Sequence, residues 1–120
     1  VQVSCCIEAV PVAKERPRLT KYGGVYTPKK TADFEKLVAQ SWVDQVGTKF
    51  ETGALEVHLA FGVVNMAQDI DNLCKSILDG LNGVAWKDDR QVHKLNAWKY
   101  PTIKPEAQVS IIVRLLPEES

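Results

Sequence analysis

Apolar and polar positions along the chain alternate between two periods, and the switches mark the elements. Val1 to Val12 is dense in β-branched and apolar residues and stops at prolines, which predicts a first strand. Lys14 to Pro28 carries Pro17, Gly23, Gly24 and Pro28 among its cations and reads as a long loop or hairpin. Thr31 is the expected N-cap of a helix with Phe34, Leu37, Val38, Ser41, Trp42 and Gln45 on one face, closed by Gly47. Leu55, Val57, Leu59 and Phe61 then alternate with Glu56, His58 and Ala60, the pattern of a half-buried strand. A second helix follows from the stripe Ile70, Leu73, Cys74, Ile77, Leu78 and Leu81, and Asn82-Gly83 stops it. Two further strands are expected at about 91–100 and 108–116. The order β-α-β-α-β-β implies an α+β fold, a small mixed sheet of about four strands with two main helices packed on it.

Length makes this a single domain over residues 1–120. With 45% hydrophobic and 25% charged residues the composition is that of a globular chain, which excludes a disordered or fibrous one. The longest apolar run falls far short of the roughly 20 residues that span a bilayer, and the first residues show no basic-then-apolar leader. Neither a membrane protein nor a secreted precursor is expected. Three cysteines, Cys5, Cys6 and Cys74, have no framework spacing, so they read as small buried hydrophobes in a reducing compartment. Without a CxxC pair or a nearby histidine, a structural zinc site has little support.

Charge changes the picture more than composition does. Fifteen cations balance fifteen acids, but they lie in separate blocks. From residue 14 to 30 there are six cations (Lys14, Arg16, Arg18, Lys21, Lys29, Lys30) against one acid, Glu15. From residue 69 to 89 there are five acids (Asp69, Asp71, Asp79, Asp88, Asp89) against Lys75 and Lys87. Carboxylates gathered without cations between them repel, unless a hard divalent cation such as Mg²⁺ or Mn²⁺ sits among them. Asp69 and Asp71 open the second helix, and a strand beginning near Asp88 and Asp89 is expected to run beside that helix and bring one of these acids toward them. Read by spacing alone, the same residues also make a helix cap with Lys75 as an i+4 partner of Asp71, and Asp88 and Asp89 make a turn. His58 and His93 read as packed or surface side chains, and Trp42, Trp86 and Trp98 as core or dimer contacts. Tyr22 and Tyr26, interleaved with the basic loop, suit contact with nucleic acid.

The stretch DIDNLCKSILDGLNGVAWKDDRQV, residues 69–92, resembles the RusA family of Holliday-junction resolvases. The resemblance rests on the D-x-D-N-L start, a lysine four residues after the second Asp, the L-D-G-L-N helix end and the W-x-D-D-x-Q-V exit. The segment PVAKERPRLTKYGGVYTPKKTADFEK, with its prolines and cations ahead of a helix, is similar more loosely. The resemblance implies a homodimeric, phage-associated endodeoxyribonuclease that is Mg²⁺-dependent (Mn²⁺ substituting), uses no organic cofactor, and resolves four-way junction DNA in a bacterial cytoplasm. It implies Asp69, Asp71 and Asp89 as metal ligands, Lys75 as the functional lysine, Asp88 as an accessory ligand, and Lys14, Arg16, Arg18, Lys21, Lys29 and Lys30 as DNA contacts. Gln68 stands where the family often has a basic residue, so one phosphate contact of the pattern is missing here. Two other readings of the same features are a non-catalytic DNA-binding module with structural acids, and a metal-dependent nuclease of flaps or forks.

Overall fold

The computed structural model describes residues 1–117; residues 118–120, the end of the expected domain, lie outside the described residues. The first strand, β1 (Gln2–Ile7), is followed by extended coil and a small hairpin, β2 (Arg18–Leu19) with β3 (Val25–Tyr26). Then come helix α1 (Lys29–Gln45), strand β4 (Leu55–Val63), helix α2 (Ile70–Leu81), a 3₁₀ turn at Asp89–Gln91, strand β5 (Val92–Pro101) and strand β6 (Gln108–Leu115). Leaving the hairpin aside, this is the expected α+β order. The main sheet is mixed and runs β1-β6-β4-β5. β6 lies antiparallel between β1 and β4, and β5 pairs parallel with β4, so the last two strands are not neighbours. A parallel β4-α2-β5 unit needs a crossover, and α2 supplies it. β5 therefore runs back along the sheet in the direction opposite to α2.

Both helices cover one face of the sheet. Leu55, Val57, Leu59, Phe61 and Val63 of β4 are fully buried there, with Val109, Ile111 and Val113 of β6 beside them. α1 contributes Phe34, Val38 and Trp42, and α2 contributes Leu73, Ile77 and Leu81. At Gly80 a Cβ would stand 3.0 Å from the Glu35 carbonyl oxygen and 3.0 Å from Val38, so the two helices cross where α2 has no side chain. Trp42 and Trp86 are fully buried, whereas Trp98 is 51% exposed and belongs to no core.

Several local expectations are corrected. β1 stops at Ile7 rather than Val12, since the coil beyond it has left the sheet to cross toward α2, where the Lys14 amide donates to the Asn72 carbonyl at 2.8 Å. The N-cap of α1 is Pro28, not Thr31: the ring sets φ near −54° and the helix starts at once. Thr31 instead lies fully buried in the first turn, its hydroxyl without a partner among the described residues. The buried stripe of α1 is also narrower than the periodicity suggests. Leu37 is largely exposed, and Gln45 reaches back to β1, accepting from the Cys6 amide at 2.9 Å and donating to the Cys6 carbonyl at 2.7 Å. Of the cysteines, Cys5 and Cys74 are buried, and Cys6 is partly exposed with its thiol on Gln108.

Candidate functional site

Asp69 is the N-cap residue of α2 and Asp71 lies in its first turn, where the unpaired amides of the helix favour negative charge. Neither side chain is committed to that helix end. Asp69 makes no side-chain capping bond, and both carboxylates are exposed. Lys75 stands one turn on from Asp71, its ammonium 3.9 Å from the Asp71 carboxylate, a loose pair between two mostly exposed side chains. The coil from the N-terminal half closes the other side of this end of α2. Lys14, Arg16 and Pro17 line a groove with Asp69, Asp71 and Lys75. The loop ahead of Asp69 is held by Lys99 of β5, whose ammonium donates to the carbonyls of Met66 and Gln68, both at 2.6 Å. Lys99 escaped the sequence reading because, in an amphipathic strand, a lysine looks like any solvent-facing residue.

Asp89 lies at the other end of the same helix. Asn82, just past the C-terminus of α2, accepts the Asp89 amide at 3.1 Å, and the buried Trp86 donates its indole N–H to the Asp89 carboxylate at 2.7 Å. This frame exists because Gly83, at φ 80°, turns the chain sharply after α2 and donates its amide to the Trp86 carbonyl at 2.7 Å. Burial raises the carboxyl pKa of Asp89, the Trp86 N–H draws it back, and the nearby charges of Asp79 and Asp88 add to the rise. Asp88 is occupied otherwise. Its side chain caps the 3₁₀ turn, accepting from the Arg90 amide at 2.8 Å and the Arg90 guanidinium at 3.1 Å, which holds its carboxyl below the usual range.

A twelve-residue helix is about 18 Å long, and this one separates Asp69 and Asp71 from Asp89. The expected convergence is therefore not reached within one chain. β5 does run back beside α2, but it begins after Asp89, so it carries Lys99 rather than an acid to the Asp69 end. Among the described residues no three Asp, Glu, His or Cys side chains come together as a metal-binding group. The pair Asp69–Asp71 does suit Mg²⁺, which often takes one or two carboxylates and completes its shell with water and substrate phosphate. The full set of three aspartates does not fit one ion in one chain.

The six basic residues divide into two kinds. Lys14 is half-buried and held by Glu35 and by Asp79, the latter at 3.0 Å; burial lowers its pKa, but the hydrogen bonds and charges of these two acids outweigh that and raise it. Arg18 pairs with Glu15 at 3.1 Å and Lys29 with Asp33 at 2.6 Å, both on the surface. Arg16, Lys21 and Lys30 are exposed and have no acidic partner among the described residues. Around them the hairpin presents Leu19, Tyr22, Val25 and Tyr26 to solvent.

Residues 8–112 match the family model for endodeoxyribonuclease RusA. The chain belongs to the RusA family. That match covers most of the chain and encloses both ends of α2 and the basic hairpin, so RusA membership assigns endonucleolytic cleavage of DNA to this fold. Junction resolution in recombination is the activity of the RusA family. No curated protein matches the chain. Among the described residues no helix is long and apolar enough to cross a membrane.

Proposed function

We propose that this RusA-family chain acts as a homodimer that resolves four-way DNA junctions by paired, symmetric nicks, in a divalent-metal-dependent reaction in a bacterial cytoplasm, on host or phage DNA. The observation that carries this reading is the exposed pair Asp69 and Asp71 in a groove with Arg16 and Lys75, inside the segment that matches the family. Asp69 and Asp71 would hold Mg²⁺ or Mn²⁺, and Asp89, at the far end of α2, would join them only across the homodimer. When bound, the ion supplies positive charge at the scissile phosphate and activates the attacking water.

The chain's own residues do the rest. Lys75 lies one helical turn from Asp71 and only loosely paired to it, so its ammonium is free to swing onto a phosphate oxygen and offset charge that grows in the transition state. Lys99 anchors the turn that presents Asp69. Arg16, Lys21 and Lys30 grip backbone phosphates, positioning the duplex arms without reading bases. Arg18 and Lys29 join them by exchanging exposed ion pairs worth little for phosphate contacts. Lys14, held by two acids, keeps the basic coil against α2. A junction has approximate two-fold symmetry, so a two-fold dimer presents its sites to opposed strands.

The test is cleavage of a synthetic mobile four-way junction against a linear duplex of the same sequence, with Mg²⁺ and with EDTA. The expected result is symmetric nicks in the junction alone, abolished by EDTA. Junction binding without product under Mg²⁺ or Mn²⁺ would make this a DNA-binding module, and faster cutting of flaps or forks would reassign the substrate.

A further inference from the structure

Residues 16–26 are exposed without a break, and the β2–β3 hairpin inside that run pairs with no other strand among the described residues. Its tip is nonetheless built rather than loose. The Thr20 amide donates to the Gly24 carbonyl at 2.7 Å, and the Thr20 hydroxyl accepts from the Gly24 amide at 2.9 Å. The Gly23 amide donates to the Thr20 carbonyl at 3.1 Å, and Gly23, at φ 84°, supplies the left-handed residue that closes a short hairpin loop. Lys21 and Tyr22 stand at the apex this produces. Tyr22 is 87% exposed, the barest large apolar side chain among the described residues. The Lys21 ammonium lies over its ring, 5.4 Å from the centre, and leaves the other ring face open.

Leu19 is set opposite Val25 across the hairpin, and Arg18 opposite Tyr26. Opposed residues share a face, so each face carries apolar surface. Leu19 is 75% exposed, Val25 66% and Tyr26 46%. A strand pair that rests on the body of a protein buries one face, whereas this one leaves apolar side chains in solvent on both. They add little to the fold that carries them, and whatever covers them has to close around the finger from two sides. The charge around the finger says what that is. Arg16, Lys21 and Lys30 answer no acid among the described residues, and α1 opens on Lys29 and Lys30 with no acid in its first turn. Cations for phosphates with aromatic rings for base faces suit DNA whose bases are uncovered.

We infer that the β2–β3 hairpin recognises the branch of the DNA: its tip enters the crossing point of the arms, where Tyr22 and Tyr26 stack on base faces that an intact duplex keeps covered. The inference rests on the proposed junction reading and deepens it, since it names what tells a branched substrate from a linear one. A ring pushed into a continuous duplex must first unstack a base step. Where the arms cross, stacking is already interrupted and base faces are open on two sides, so the same insertion costs less. Position favours this as well. Pro17, which lines the groove with Asp69 and Asp71, directly precedes β2. Tyr22 lies five residues further on, a reach of at most about 17 Å. At about 3.4 Å per base pair, a branch held at Tyr22 sets the cut phosphate within about five base pairs of the crossing.

The test compares binding of a four-way junction and of a linear duplex in EDTA, with 2-aminopurine placed at the crossing as a stacking probe. Wild-type protein is expected to prefer the junction and to quench the probe. Tyr22→Ala should weaken junction binding about tenfold and lose most of the quench, with duplex affinity within twofold and the melting temperature unchanged. Tyr22→Phe should keep both the affinity and the quench, because stacking needs the ring and not the hydroxyl, and Tyr26→Ala should act in the same direction as Tyr22→Ala. Junction and duplex affinities that fall together, or that both stay put, overturn the inference. So does a Tyr22→Ala, Tyr26→Ala protein that changes oligomeric state in sedimentation, since the hairpin would then be covered by a second copy of the chain. Addition of Mg²⁺ separates this from the nuclease reading. Wild-type protein that quenches the probe and cuts nothing refutes the proposed function and upholds the hairpin's role. Wild-type protein that nicks the junction while Tyr22→Ala leaves the quench unchanged overturns the hairpin's role alone.

Discussion

The two ends of α2 treat their aspartates in opposite ways. At the N-terminal end, Asp69 and Asp71 are exposed, make no capping bond, and have only a loose neighbour in Lys75. At the C-terminal end, Asp89 is half-buried and fixed by the Trp86 indole and by Asn82. An uncommitted carboxylate beside the amides of a helix start can take up a cation and a phosphate with little rearrangement. A carboxylate aimed by a buried tryptophan is pre-oriented and cannot adapt, so its usefulness depends on what is brought to it. The helix thus carries adaptable carboxylates at one end and a rigid one just past the other.

Neutralising the adaptable half should have the largest effect. Asp71→Asn is expected to lower junction cleavage by on the order of 10²–10³-fold while leaving junction affinity within a few-fold. Asp79→Asn is the matched control on the same helix face. Asp79 answers Lys14 rather than a ligand, so this variant should keep most of the cleavage rate in the same gel assay. Equal loss in both would mean that the acids act through the charge of the whole face and that the two ends do not differ.

The rigid half is tested through its support. Trp86→Phe removes the N–H that holds Asp89 and leaves the carboxylate in place. The expected outcome is a cleavage rate lower by about tenfold, in the range that follows from loosening an oriented ligand, with junction affinity unchanged. Denaturant titration should show a stability loss of about 1–3 kcal/mol from the unpaired, partly buried carboxylate. A rate unchanged despite that loss would show that Asp89 needs no aiming.

The sequence made one end of α2 far more legible than the other. Asp69, Asp71 and Lys75 are close in the chain, and helical spacing alone puts Lys75 beside Asp71. The order of strands and helices was equally readable, because alternation in β4 and the stripe in α2 report burial directly. Asp89 was harder. Its place depends on the turn at Gly83 and on β5 pairing parallel with β4, both long-range outcomes that a local pattern does not encode. Every cation of the basic block also has the same standing when read along the chain. Only packing separates Lys14, held by Glu35 and Asp79, from Arg16, Lys21 and Lys30. The start of α1 was missed for a simpler reason, since Thr31 has the chemistry of a cap but Pro28 fixes the backbone first.

Both ends of α2 are placed by its seat on α1, and at Gly80 the two helices approach closely. Gly80→Ala puts a methyl 3.0 Å from the Glu35 carbonyl oxygen and from Val38. Alanine favours a helix by up to about 1 kcal/mol over glycine. The close backbone contact should outweigh this and leave a net loss of about 1–3 kcal/mol in urea unfolding. A more stable variant would show that the crossing can open, and with it the spacing of the two ends.

Glu56 offers a third kind of acid against which to set the other two. It is buried on the face of the sheet away from the helices, with His58 at 3.1 Å, Lys94 at 3.1 Å and Arg114 at 2.8 Å. The hydrogen bonds from His58 and Lys94, with the charge of Arg114 and against the cost of burial, bring its pKa down to about 2. A carboxyl depressed in the folded state stabilises the fold above its unfolded pKa, and that stabilisation is lost as pH falls through the folded value. Thermal melts should therefore fall between about pH 4.5 and about pH 2, and Glu56→Gln should remove that part of the slope while leaving cleavage at neutral pH nearly unchanged.

The smallest effects belong to the exposed cations, and they sharpen the comparison by separating binding from chemistry. Lys21→Ala with Lys30→Ala removes two charges that no acid of the described residues answers, so each is free to displace counterions from a DNA phosphate. The slope of log affinity for junction DNA against log salt should flatten by about 0.9 for each phosphate that is no longer neutralised. Lys29→Ala should change it less, since Lys29 must first leave Asp33. Cleavage at saturating protein should be unaltered in all of them, because none of these side chains reaches either end of α2. A change in the cleavage rate at saturation would mean that these lysines do more than hold phosphates, and that they help set the arms of the junction against the two ends of α2.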